Sequence, residues 1–442
     1  MLNKFFAFTQ NKFEFLHKNS IFLQNIDSLI FISILAVFVS SLFADSNFIG
    51  FFAILASLLT LLNLLIKKDE KLECNKFELF LLAYFMFVII SLFGSTLFAL
   101  SFKGFIKVVI YLGFYLSLVQ YLKKHTEKIW WIIFAIAGCC AFEIFQGFIQ
   151  TIVRPEAIST WQDTSYVNPD EMINRIYGTL KPLNPNLFGG YLVAAIPALF
   201  AATTNLLFKK QNILALITGI FSVLSLYILF QTGCRGAYLG LFGIIFSLVI
   251  ICAKLVKNEK HKKMFLTAVG GSSVVGFLFL MSVTSIRLRI LSIFMMRQDS
   301  SNSFRFNVYN SCIDMFKDNW LLGIGLGNKN FREIYGLYMK TGFDALSAYN
   351  IYLETAVESG IFALISFLGF LILVLKDAYK FIITKCEDKP ALFAVIFAFT
   401  SIIGLMVHGC VDTVFFRPQI HFIFWTMAAI IRVLTTEEEQ QA

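Results

Sequence analysis

Apolar runs long enough to cross a bilayer recur twelve times along this chain, and no other feature limits its folding as strongly. They fall at about 28–43, 48–66, 77–99, 104–122, 129–152, 184–208, 213–231, 236–255, 264–286, 352–375, 390–410 and 420–434. Inside a membrane every backbone N–H and C=O must find its partner within the protein, which restricts a crossing segment to an α-helix or a closed barrel. Runs of this length suit helices and exceed what a tilted barrel strand needs. The expectation is an all-α, polytopic transmembrane helical bundle of about 12 spans over 28–434, with an interfacial arm at 1–27 and a tail at 435–442. Composition agrees: 58% of residues are hydrophobic and 15% charged, and the mean hydropathy is +0.74, well outside the range of soluble domains. Membrane lipids are the expected surroundings, and nucleic acid is not an expected partner.

The two basic residue types sort to opposite ends of these spans. Lysines cluster at Lys67, Lys68, Lys71 and Lys76, at Lys123, Lys124 and Lys128, at Lys209 and Lys210, and within 254–263 and 376–389, each time after an even-numbered span. The positive-inside rule then puts both termini in the cytoplasm. Of the ten arginines, only Arg432 falls near that side. Arg154, Arg175, Arg235, Arg287, Arg289, Arg297, Arg305, Arg332 and Arg417 fall on or near the far side. A topology signal would not separate the two residue types in this way. Arginine's planar fork matches phosphate and carboxylate oxygens, so an outward arginine set reads as an anion site, with some members pairing locally.

The eight cysteines show no C-x-x-C spacing and suggest neither a zinc site nor a disulfide framework. No acidic metal-binding motif is evident in the outer loops, so no metal or cofactor is expected. Two outer-face loops, 153–183 and 287–351, are too long to be simple connectors. In the first, Arg175 precedes "NPN" (184–186), a capped helix start that suits a phosphate or merely a solvated arginine. Arg235, in "TGCRGAYLG", sits where span seven meets span eight. A charge at that boundary must face the bundle interior or a partner. In the second loop Phe306, Tyr309, Ile313, Phe316 and Trp320 recur at helical spacing, which predicts an amphipathic helix along the outer membrane surface. Ser303 is its expected cap, with Arg305 in its first turn. "GIGLG" (323–327) lacks the preceding strand of a nucleotide loop and reads as a flexible turn. In "HGCVDTVFFRPQ", His408 and Asp412 share a helix face if the helix extends that far, with Arg417 beyond. A carboxylate-held histidine is a general base; otherwise His408 packs and Asp412 neutralises Arg417. Glu354 and Glu358 are further candidate bases.

These pieces, with "RIYGTLKPLNPNLFGGYL", "RQDSSNSFRFNVYNSCIDMFKDNWLLGIGLGN" and "YGLYMKTGFDALSAYNIYLETAVESGI", make 158–425 resemble the O-antigen ligase superfamily of bacterial inner-membrane proteins. Within it the similarity extends to the IctB-type branch, named for bicarbonate transport. The resemblance implies transfer of a glycan from an undecaprenyl pyrophosphate carrier to an acceptor glycan on the periplasmic face. It further implies that Arg175, Arg235 and Arg305 bind the pyrophosphate; Arg417 is a weaker fourth candidate, and with no metal-binding motif in the outer loops the arginines are expected to stabilise the departing diphosphate. Ligases of this type carry a histidine before the Asn of the segment that here reads "LSAYNIYLE"; this chain has Tyr349 before Asn350. A hydroxyl with a pKa near 10 is a poor base at neutral pH. His408 with Asp412 is then the expected substitute base, and Tyr349 and Asn350 belong to the substrate-binding set. The alternative that the IctB-type similarity implies is a transporter of bicarbonate or another small anion.

Overall fold

The computed structural model describes residues 2–68, 70–72, 74–153, 173–384 and 388–441. Most of the first outer loop, with Arg154, and Cys386 lie outside the described residues. The described chain is helical with no strand. Its helices are α1 (Leu2–Asn19), α2 (Ile21–Gln24), α3 (Ile26–Ser40), α4 (Ser46–Ile66), α5 (Lys76–Gly94), α6 (Phe98–Lys124), α7 (Ile129–Val153), α8 (Pro185–Phe208), α9 (Asn212–Gln231), α10 (Arg235–Leu255), α11 (Glu259–Ser282), α12 (Thr284–Phe294), α13 (Ser300–Asn319), α14 (Asn328–Tyr335), α15 (Ile351–Thr384), α16 (Lys389–Gly409) and α17 (Pro418–Gln441).

The twelve expected spans correspond to α3 through α11 and α15 through α17. Among the described residues eleven helices are long and apolar enough to cross a membrane, and α3, at 15 residues, is shorter. Local chemistry sets several helix starts. Asn75 and Glu78 form a reciprocal capping box at α5. At α8, the Asn184 side chain accepts from Asn186 and Leu187 N–H groups while Pro185 opens the first turn. The centre of the bundle is α17, whose spanning part is 94% buried; α8 follows at 72%. Alanines on α8 let neighbours approach closely, and the Ser401 hydroxyl of α16 donates to the Ala194 carbonyl at 2.7 Å. By contrast α11 is unburied along its whole spanning window.

The lysine-bearing ends meet at one end of the bundle. Lys67 reaches Asp27 at 2.5 Å, Lys76 reaches Asp377 at 2.7 Å, and Lys124 pairs with Glu70. Gln10 of α1 donates to the Leu64 and Glu70 carbonyls, and Asn75 donates to Thr436 of α17. Arg432, the exception among the arginines, is buried there against Glu78 at 3.1 Å.

Three local expectations are corrected. First, α13 begins at Ser300 with Asp299 as its cap, accepting from Asn302 N–H at 2.9 Å, so Ser303 is not the cap and Arg305 lies in the second turn. Its core face is Val308, Cys312 and Met315, packed with Phe331, Tyr335 and Val357. The 324–348 segment covers this face, Phe316 of the predicted stripe packs at its edge, and Ile313 and Trp320 stay exposed. Secondly, "GIGLG" is a wedge, not a free turn. Ile324 and Gly325 N–H groups donate to the Val357 and Glu358 carbonyls, and Gly327 N–H donates to the Glu358 carboxylate at 2.9 Å. The wedge is admitted by a break in α15 at Gly360 (φ 80°), a conformation that suits glycine. Thirdly, α16 stops at Gly409, so His408 and Asp412 do not share a helix face.

Candidate active site at the arginine-bearing end

The turn between α9 and α10 organises one half of the site. Gly233 takes φ +62°, and a Cβ there would lie 3.1 Å from the Arg175 side chain. That turn exposes two carbonyls to arginines from distant segments. Arg175 Nε donates to the Thr232 carbonyl at 2.9 Å and its Nη2 donates to Asn186 Oδ1 at 2.5 Å. Arg289 of α12 donates to the Gly233 carbonyl at 2.7 Å. Burial, reinforced by the neighbouring Arg175 and Arg235 charges, pushes the Arg289 guanidinium down to about 10. Arg175 is lowered as well, chiefly by burial.

Arg235, the first residue of α10, is 8% exposed and pairs with Asp299 at 2.9 Å; its Nη1 also donates to the Ser292 carbonyl and hydroxyl. A buried pair of this kind costs desolvation on both sides, so it holds only with such added hydrogen bonds. Arg305 Nη1 donates to Ser301 Oγ at 2.8 Å, its Nη2 lies 3.8 Å from Asp412 Oδ2, and its guanidinium sits 5.6 Å from the centre of the Tyr349 ring. Both arginines keep one buried donor, Nη2 of Arg235 and Nε of Arg305, without a partner among the described residues. Both line one cavity of about 200 Å³, with Tyr309 and Phe306 on its wall.

A second cavity, of about 370 Å³, lies on the other side of the Arg305–Asp412 pair. Asp412, Tyr349, Arg417 and Asn186 line it, together with Lys107 of α6. Asp412 Oδ1 accepts from the Thr413 and Val414 N–H groups at 2.7 and 3.1 Å, which fixes the carboxylate on the wall. Tyr349 has φ 51°, and its carbonyl accepts from the Tyr309 hydroxyl at 3.1 Å. Burial, and then the Asp412 charge, raise the Tyr349 hydroxyl above its ordinary value, so it stays a neutral donor. Asn350 turns inward: its Oδ1 caps α15 through the Tyr352 and Leu353 N–H groups, and its Nδ2 donates to the Cys410 carbonyl. The Ser347 and Thr413 hydroxyls, 2.7 Å apart, complete the seam between the two loops.

His408 stands behind this wall, 2% exposed. It fills the gap between α8 and α10, where a Cβ on Gly190 or Gly236 would come within 3.1 or 2.6 Å of its ring. Its Nε2 lies 3.9 Å from Cys234 Sγ. Thus Arg235 and Arg305 share a cavity, Tyr349, Asp412 and Arg417 share another, and Arg175, Asn350 and His408 are built into the supports. Among the described residues the remaining arginines of that set pair locally: Arg332 with Asp344 at 2.5 Å, Arg297 against the Phe306 ring, and Arg287 with the Met281 carbonyl. Arg289 belongs to the outward arginine set without being singled out in it, and Lys107 is not among the sequence-derived site residues. The signal for Lys107 is a lysine inside an apolar span, "SFKGFIKVVIYLGF".

Residues 220–368, from α9 to α15, match the family model described as O-Antigen ligase. Over 384 residues the chain is 23% identical to the teichuronic acid biosynthesis protein TuaE of Bacillus subtilis (strain 168), covering 84% of this chain and 74% of that one. With the helical fold, these similarities support a multi-pass membrane protein of the O-antigen ligase/polymerase-like kind.

Proposed function

We propose that the protein transfers a glycan from an undecaprenyl pyrophosphate carrier to an acceptor glycan, across the wall formed by Arg305, Asp412 and Tyr349. In this reading the carrier diphosphate occupies the cavity lined by Arg235 and Arg305. The observation that carries it is their two unpartnered guanidinium donors, brought together from 70 positions apart. The acceptor hydroxyl attacks the anomeric carbon of the donor sugar, the bond from that carbon to the diphosphate oxygen breaks, and the hydroxyl proton passes to Asp412. Arginine donors fixed in place favour the negative charge that grows on the departing diphosphate. Arg289 and Arg175 raise the local positive potential without touching the cavity. Tyr349 donates its hydroxyl to the incoming sugar, and His408 holds the α8–α10–α16 junction behind Asp412.

The lysine end faces the cytoplasm and the arginine end the periplasm of a bacterial inner membrane, in keeping with the positive-inside rule. A cavity of about 370 Å³ falls in the range of about 300–1,000 Å³ that accommodates larger organic ligands, which favours a sugar over bicarbonate. The test is transfer of labelled glycan from undecaprenyl diphosphate by the purified protein in proteoliposomes. Product formation that is lost in Arg305→Lys supports the reading; uptake of labelled bicarbonate without glycan transfer overturns it.

A further inference from the structure

Lys107 lies ten residues into α6, about 15 Å along the helix at 1.5 Å per residue. A lysine at such depth is costly unless it meets a partner or water, and such residues mark ligand paths. Among the described residues neither Lys107 nor Arg417 makes a salt bridge, and both line the 370 Å³ cavity. Among the described residues the one carboxylate on that wall is Asp412, and it faces Arg305. Lys107 also lines an adjoining cavity of about 80 Å³ with Glu354 and Glu358, whose carboxylates accept from the Ala348 and Gly327 N–H groups and make no salt bridge to it. Two like charges in one cavity repel each other unless an anion lies between them. The rest of the lining combines amide and hydroxyl groups, such as Asn186 and Ser347, with the faces of Tyr111 and Phe422. That is the mixture a sugar ring requires, with hydroxyls at its edge and C–H groups on its face.

We propose that this cavity is a subsite for an anionic sugar, a hexose bearing a carboxylate or phosphate ester held by Lys107 and Arg417, with a free hydroxyl turned toward Asp412. The proposal rests on the transfer reading for the role of that hydroxyl, and it assigns the second cavity to an acidic acceptor. The two anions of the reaction then bind on opposite sides of Arg305.

The test uses the full chain in lipid nanodiscs and three trisaccharide probes: one ending in glucuronic acid, its carboxyl-reduced neutral form, and the neutral form phosphorylated on the terminal sugar. At least one anionic probe is expected to bind tenfold or more tightly than the neutral one, and which one does so identifies the anion. The preference is expected to vanish in Lys107→Gln/Arg417→Gln and to persist in Lys107→Arg, a conservative variant that controls for folding. Equal binding of all three probes by the unmodified chain overturns the proposal. So does displacement of the anionic probe by undecaprenyl diphosphate that depends on Lys107 and Arg417, since those residues would then hold the carrier. If undecaprenyl diphosphate fails to bind while the tenfold preference holds, the transfer reading falls and the anionic subsite stands.

Discussion

Arg305 Nη2 lies 3.8 Å from Asp412 Oδ2, and this contact joins residues 107 positions apart in the wall between two cavities. Arg305 lines one cavity and Asp412 the other, so in the proposed transfer reaction the pair would set where charge is stabilised and where a proton is taken.

Replacing Asp412 by Asn keeps the shape of the wall and its backbone contacts while removing the proton acceptor. General-base groups contribute about 10²–10⁴-fold, so transfer per folded molecule is expected to fall by at least about a hundredfold. Binding of undecaprenyl diphosphate is expected to survive. Transfer within threefold of the unmodified chain would remove Asp412 from the chemistry.

His408→Ala empties the slot between Gly190 and Gly236. The expected result is a loss of about 1–3 kcal/mol in stability, read as a lower thermal midpoint in detergent. Transfer per folded molecule is expected to stay within a fewfold. An unchanged midpoint with a hundredfold loss of transfer would instead give His408 the proton-transfer role.

Arg235→Ala leaves Asp299 buried and unpaired, which costs about 3–5 kcal/mol. The double variant Arg235→Ala/Asp299→Ala is expected to be more stable than the sum of the single losses predicts. Arg235→Lys keeps the charge but not the two-pronged geometry, so carrier binding is expected to weaken more than stability. Additive stability losses in the thermal cycle would show that the 2.9 Å pair contributes no coupling.

The Tyr309 hydroxyl is pushed up to about 12, mainly by burial, while its unfolded value stays near 10. Between those values the unfolded chain releases this proton and the folded chain keeps it. Stability therefore falls as pH rises through that interval. Tyr309→Phe is expected to flatten the decline of the thermal midpoint between pH 10 and 12. A decline of the same steepness in the variant would assign it to other groups.

How much of this was legible in the sequence depended on the range of the cause. The twelve spans could be read directly, because the bilayer acts on each segment separately and asks only for length and apolarity. The sorting of lysine from arginine was equally local, and so was the cost of an arginine such as Arg235 at the end of an apolar run. Tertiary packing decided the rest. The partner of Arg235 is Asp299, 64 residues away, and no periodicity announces such a pair. The face that α13 buries, Val308, Cys312 and Met315, is set by the 324–348 segment laid against it, and the spacing of its aromatic stripe did not announce that face. "GIGLG" looked flexible because glycine permits it, yet a break in α15 at Gly360 turns it into a buried wedge. His408 and Asp412 are separated by a helix end that lies only three residues before the aspartate. The sequence by itself determined which segments enter the membrane and which charges must be accounted for. Only the tertiary structure decided which charges meet, because those contacts arise between helices that the bilayer selects independently and packing then brings together.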